Sequence, residues 1–143
     1  ALPIAEGPLA QPVAVSMGNP HAVFFVRDAT AIDLARIGPR LEHHPLFPKR
    51  TNVEIVMVQA PHRLRGRVWE RGAGITQACG TGACAALVAA VRRGLAGRRA
   101  TIVLDGGELE IAWRDDGHVI MTGPVATSFS GQVDLDRLGG ALS

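Results

Sequence analysis

The stretch Gly74-Ile75-Thr76-Gln77-Ala78-Cys79-Gly80-Thr81-Gly82-Ala83-Cys84-Ala85-Ala86-Leu87-Val88-Ala89-Ala90-Val91-Arg92-Arg93 decides the fold. From Ala83 to Val91 the apolar positions fall on every side of a helix rather than along one stripe, so the pattern predicts a helix enclosed by protein all round. Arg92 and Arg93 suit its last turn, and Gly94 or Gly97 ends it. Cys79 stands at its start, after a Gly-rich loop from Arg71 to Gln77. Unpaired N–H groups and the positive end of the helix dipole meet there; they stabilise a thiolate and bind a carboxylate or phosphate. Cys79 is therefore the candidate reactive group, and Cys84, deeper in the apolar run, is assigned to the core. Five residues apart on a helix, the two thiols point about 140° apart and cannot bridge. Reduced thiols predict a cytoplasmic setting.

Working outward, Val13–Val15 and Ala22–Val26 read as strands around a shaped turn, Met17 to His21. Asp28 or Thr30 is positioned to cap a helix with one apolar stripe, Leu34, Ile37 and Leu41, which ends before His43-His44-Pro45 and packs on the outside. Asn52–Gln59 and His62–Glu70 read as two more strands, with Leu64, Gly66 and Val68 on one face. After the enclosed helix, Ala100–Leu104, Glu108–Trp113 and His118–Thr122 form an antiparallel meander turned by Asp105-Gly106-Gly107 and Asp115-Asp116-Gly117. A last strand is predicted around 125–133. No repeat or linker interrupts the chain, which predicts one α+β domain over 1–143, with strands wrapped around one buried helix.

The 143 residues are 47% apolar and 20% charged, with a net charge of +2. That is a globular composition, large enough to bury a core without disulfides or metal. Disordered, collagen-like and disulfide-stapled classes are excluded. The longest apolar run is about half a bilayer crossing, and no leader pattern is present, so neither membrane nor targeting is expected. The chain begins with Ala1 and a Pro-rich lead, and reads as a piece of something longer. Fourteen of the 15 basic residues are Arg. Arg63, Arg65 and Arg67 lie along one strand face, and with six aromatic residues in all no nucleic-acid platform emerges; a solvated face is expected. Gly80-x-Gly82-x-x-Ala85 satisfies the relaxed dinucleotide fingerprint, but a polar loop precedes it and the strand after the helix turns into a tight hairpin.

Ser16-Met17-Gly18-Asn19-Pro20-His21, Thr51-Asn52-Val53, Trp69-Glu70-Arg71-Gly72 and the run from Gly74 to Ala86 together resemble the C-terminal half of diaminopimelate epimerases, in order and interval. Cys79-Gly80-Thr81-Gly82 alone is shared with proline racemases and related isomerases of the same fold. The resemblance implies a cofactor-independent isomerase of lysine biosynthesis. Its two pseudo-symmetric domains each roll a mixed sheet around a central helix and contribute one cysteine. This chain would supply one domain, the N-terminal domain lying outside it.

By that resemblance Cys79 is the second catalytic cysteine, and the amides of Gly80 and Thr81 hold the substrate α-carboxylate. Asn19, Asn52, Glu70 and Arg71 bind the rest of diaminopimelate, while His21 and Glu70 adjust the acidity of the thiols. Arg71 suits a bidentate grip on the distal carboxylate. No metal is implied. The family often has a tyrosine near its C-terminus at a homodimer contact; Phe129 stands in that place, a ring that packs without a hydroxyl.

Inverting an α-carbon needs a base on one face and an acid on the other, which two thiols provide near neutral pH if a helix terminus lowers their pKa modestly from about 8.5. The rival readings are another racemase or dehydratase of this fold, and a non-catalytic anion-binding module. At each position a structural reading also stands: a turn at Asn19, a satisfied half-buried imidazole at His21, a surface ion pair between Glu70 and Arg71.

Overall fold

The computed structural model describes residues 1–134. A short ribbon, β1 (Ala5–Glu6) and β2 (Leu9–Ala10), is followed by β3 (Val13–Ser16), β4 (Pro20–Val26), α1 (Leu34–Glu42), β5 (Asn52–Ala60), β6 (Arg63–Glu70) and β7 (Gly74–Thr76). Then come α2 (Gly80–Arg92), β8 (Arg99–Leu104), β9 (Gly107–Trp113) and β10 (Val119–Thr122). The main sheet runs β10-β9-β8-β6-β5-β4-β3, with β7 added against β6. The β4/β5 and β6/β8 pairs are parallel and the other pairs antiparallel. Each parallel step carries one helix across, as parallel neighbours require.

Period-two alternation gives the sheet two apolar faces, and each helix takes one. Val23, Val56, Leu64, Ile102 and Ile111 pack on Ala83, Ala86, Leu87 and Ala90 of α2. Ala22, Phe24, Val53 and Ile55 pack on Leu34, Ile37 and Leu41 of α1, with Ile4 and Leu9 of the ribbon beside them. Because α2 is mostly alanine along its buried sides, the sheet approaches it closely and curls; α2 touches every strand of the sheet from β3 to β10 except β7. The α+β class and the sheet rolled around one central helix are as the sequence predicts.

Several expectations need correction. The sheet does not close: an open cleft between Val15 and Met17 on one side and Trp113 and Val119 on the other reaches Val88 and Arg92 of α2. Along α2, Cys84 and Val91 are half-buried, so the helix is not enclosed on all sides and Cys84 packs against the margin of the core rather than within it. Helix α1 is capped by Asp33, whose carboxylate accepts from the Arg36 amide; Asp28 instead holds a local turn through the Thr30 amide and hydroxyl.

The Gly-rich loop contains strand β7, paired to β6. The expected strand at 125–133 does not form. Val125 and Phe129 are exposed there, and Pro124 offers no ladder donor to an edge already ended by β10. The Arg face of β6 is not simply solvated: Arg65 and Arg67 are only 17% and 19% exposed. Arg65 is tied to Asp105, and Arg67 donates to the carbonyls of Ala29 and Ile32. No helix among the described residues is long and apolar enough to cross a membrane.

Candidate active site

Strands β4, β5 and β6 deliver their polar residues to the inner face at the end of the sheet where α2 begins. On β5, Val53 and Ile55 face α1, so Asn52 and Glu54 face inward; the same alternation turns His21 of β4 and Glu70 of β6 toward α2. Cys79 is the N-cap of α2, with an extended backbone, and its Sγ accepts from the Gly82 amide at 3.4 Å. The Ala83 amide bonds to the Cys79 carbonyl. The amides of Gly80 and Thr81 have no partner among the described residues, which leaves two N–H groups of the helix terminus to bind an anion.

His21 is fully buried and joins two groups: Nδ1 lies 2.6 Å from Glu54 Oε1, and Nε2 3.1 Å from Asn19 Oδ1. Asn19 Nδ2 donates to Thr81 Oγ1 at 3.2 Å, and Thr81 Oγ1 is 3.6 Å from Cys79 Sγ. Asn19 does sit in a turn, its carbonyl accepting from the Met17 amide, and the His21 ring is satisfied but fully rather than half buried; it is their side-chain contacts that lead to the thiol. Gly82 is required here. A Cβ on it would lie 3.0 Å from Glu54 Oε1 and 3.2 Å from Cys79 Sγ.

Asn52 acts as a clip, donating to the Pro20 carbonyl and accepting from the Arg71 amide, so it fixes the β4 and β6 ends relative to each other. Glu70 and Arg71 do not form a mutual ion pair. Glu70 accepts from the Thr76 hydroxyl at 2.5 Å, and Arg71 donates to the Lys49 carbonyl. The Arg71 side chain lines an open cleft with Ser16, Gly18, Lys49 and Arg50.

Two buried carboxylates went unmarked in the sequence. Glu42 of α1 accepts from the Trp69 indole and the Gly72 amide and pairs with Arg50, anchoring the turn that carries Arg71. Burial pushes its carboxyl up, but those hydrogen bonds and the nearby charges overcome this and leave it below the usual range. Glu54 is the other. Only its position on the inner face, two residues after Asn52, could have identified it.

The electrostatics overturn one expectation. The Cys79 thiol lies above its ordinary value rather than below it: burial pushes it up most, the Thr81 hydroxyl and Gly82 amide pull it down, and the carboxylates of Glu70 and Glu54 push it up again. Cys84 is also raised, by burial and by the charge of Cys79. Burial pushes Glu54 up to about 7, against the His21 contact that lowers it. Among the described residues no cluster of three or more His, Cys, Asp or Glu forms a metal-binding group.

Residues 13–128 match the diaminopimelate epimerase family. The chain is 62% identical over 99% of its length to a diaminopimelate epimerase of Rhodospirillum centenum and 60% identical over 96% to one of Acidiphilium cryptum. It covers 48% and 50% of those two proteins, so the chain spans about half the length of the curated relatives it matches. Among solved structures, a phenazine biosynthesis protein of the PhzF family from Bacillus anthracis superposes with a TM-score of 0.52 at 23% identity, over 78% of this chain and 35% of that one. That likeness concerns the fold.

Proposed function

This chain belongs to the diaminopimelate epimerase family, and from that premise we propose that the whole protein interconverts L,L- and meso-diaminopimelate without a cofactor, in the cytoplasm, with residues 1–143 as one domain and a second domain of similar length facing it. The observation that carries this reading is the Cys79 thiol at the N-terminus of α2, beside the two unpartnered amides of Gly80 and Thr81.

In this reading the substrate α-carboxylate sits on those amides, which stabilise the charge that develops on it as the α-proton leaves. That places the α-carbon next to Cys79. As a thiol raised by burial, Cys79 delivers a proton to one face of the carbon; as a thiolate held by Gly82 and Thr81, it removes one. The other domain supplies the matching thiol. Asn19, Asn52 and Glu70 border the substrate, His21 and Glu70 adjust the thiol, and Arg71 grips the distal carboxylate from the cationic cleft that it shares with Lys49 and Arg50. The exposed ring of Phe129 supports burial of that segment in the whole protein, including at a homodimer contact.

The full-length protein tests this. Cys79→Ala should lose epimerisation roughly 100-fold or more while still binding diaminopimelate. Arg71→Lys should weaken binding by on the order of 1.5 to 3 kcal/mol, because a point charge replaces a planar fork. An anion-binding module would keep its function after Cys79→Ala, and a racemase of small neutral amino acids would ignore Arg71→Lys.

A further inference from the structure

Glu54 is buried on the inner face of the sheet, and one of its oxygens, Oε2, has no hydrogen-bond partner among the described residues. An ionised carboxylate is costly there, and a neutral one much less so. Between Glu54, Cys79 and Gly82 lies a cavity of about 10 Å³ with otherwise mainly apolar walls, too small for a counter-charge to enter. The titratable groups that face Glu54 are His21 from β4, Glu70 from β6 and Cys79 from the start of α2. Arg67 borders the same cavity, but its guanidinium is turned to the carbonyls of Ala29 and Ile32.

The hydrogen bonds from Glu54 to the thiol have a direction. Asn19 Nδ2 donates to Thr81, so Asn19 presents its oxygen to His21, and an oxygen only accepts. His21 Nε2 therefore carries a proton. The 2.6 Å contact between His21 Nδ1 and Glu54 Oε1 then holds one further proton, on one atom or the other, and the His21–Glu54 pair is neutral as a whole. Thr81, already accepting from Asn19, has its hydroxyl proton free to donate to Cys79, an arrangement that suits a thiolate.

We infer that Glu54 is a positioning residue for Cys79: the five groups Glu54, His21, Asn19, Thr81 and Cys79 share one negative charge, which rests on the thiol or on Glu54 according to the direction of the hydrogen-bonded chain. In the reversed arrangement the Asn19 amide is turned over. Cys79 S–H donates to Thr81, Thr81 O–H to Asn19 Oδ1, Asn19 Nδ2 to His21 Nε2, and His21 Nδ1–H to the Glu54 carboxylate. Both arrangements contain the same number of protons and the same net charge of minus one. A thiol that must serve as acid in one direction and as base in the other thereby gains two hydrogen-bonded states, and the cost of charging the buried Glu54, where only His21 Nδ1–H partners it, favours the one that leaves the charge on the thiol. Glu70 stays outside the chain, occupied by Thr76, and acts on both ends through its charge alone.

The inference deepens the two-thiol reading, yet its test reads the thiol rather than turnover, so its failure would leave that reading standing. In a Cys84→Ser background, iodoacetamide labelling of Cys79 is followed against pH for this chain and for Glu54→Gln, which mimics the protonated carboxyl permanently. The unsubstituted chain should titrate in two coupled steps. Glu54→Gln should titrate in one, with labelling at pH 8 roughly 3- to 10-fold faster, the factor for half to one unit of lost coupling. Superimposable profiles, or slower labelling by a folded Glu54→Gln chain, overturn the proposal. If that variant does not fold, nitrogen-15 NMR of His21 in the unsubstituted chain decides. The proton on Nε2 should be lost in the step that ionises Cys79 and Glu54 together, and a His21 tautomer unmoved through both steps refutes the shared charge.

Discussion

Cys79 and Cys84 set burial against chemistry. Cys79 is 8% exposed and Cys84 more so, which favours labelling of Cys84. The Cys79 thiolate, however, accepts from the Gly82 amide and the Thr81 hydroxyl, whereas among the described residues nothing donates to Cys84. A charge-assisted hydrogen bond contributes about 1.5 to 3 kcal/mol, more than a difference in access of a few-fold. Limiting iodoacetamide should therefore modify Cys79 first, as mapped by mass spectrometry, and an adduct mainly on Cys84 would contradict the assignment. Glu54 makes a second prediction at this scale. Its carboxyl is raised from 4.5 to about 7 in the folded chain, so between those values the native state keeps a proton that the unfolded state has lost. Stability from this group is full below about pH 4.5, falls as pH rises to about 7, and is level above. The loss amounts to up to about 3 kcal/mol. Urea midpoints at pH 5 and pH 7.5 should fall less in Glu54→Gln than in the unsubstituted chain; equal slopes would show that the proton is not held there.

At the scale of elements, α1 is the support for the turn that carries Arg71. Gly38 faces the Trp69 indole so closely that an added Cβ would lie 2.4 Å from the ring, and that ring is pinned by its hydrogen bond to Glu42. Gly38→Ala should destabilise the chain by about 1 to 3 kcal/mol despite a better helix propensity, because a rigid indole must shift. The denaturation midpoint measures this, and an unchanged or higher midpoint would show that α1 does not depend on the contact. Strands and helices with strong periodicity were legible in advance: the alternation of Leu64, Gly66 and Val68, the stripe of Leu34, Ile37 and Leu41, and the apolar run after Cys79 all fall where the patterns place them. Short elements were not. The three residues of β7 and the two-residue strands of the ribbon carry no period, and they exist because β6 and a covered hydrophobic face receive them. The thiol at the helix start could be read from local chemistry. Its raised pKa could not, since that depends first on burial by the folded sheet and then on Glu70 and Glu54 arriving from strands distant in sequence.

At the scale of the whole molecule, the curled sheet buries α2 from one side and leaves the start of the helix, with Gly80 half-buried and Thr81 exposed, facing outward. In the proposed reading, every polar group gathered there lies on one side of the substrate α-carbon. Proton removal and return by Cys79 alone would occur on that same side and restore the starting configuration. Two buried clusters give the chain a core of its own on each face of the sheet, so it should fold by itself. It should not invert its substrate. Incubated with L,L-diaminopimelate in deuterated water, the chain should incorporate deuterium slowly at the α-carbon, if at all, and form no meso isomer detectable above the uncatalysed background. Meso product at a rate near that of the full-length protein would defeat the two-thiol mechanism. Glu70 would then be the first group to substitute, because its carboxylate borders the thiol and is tied only to Thr76 among the described residues.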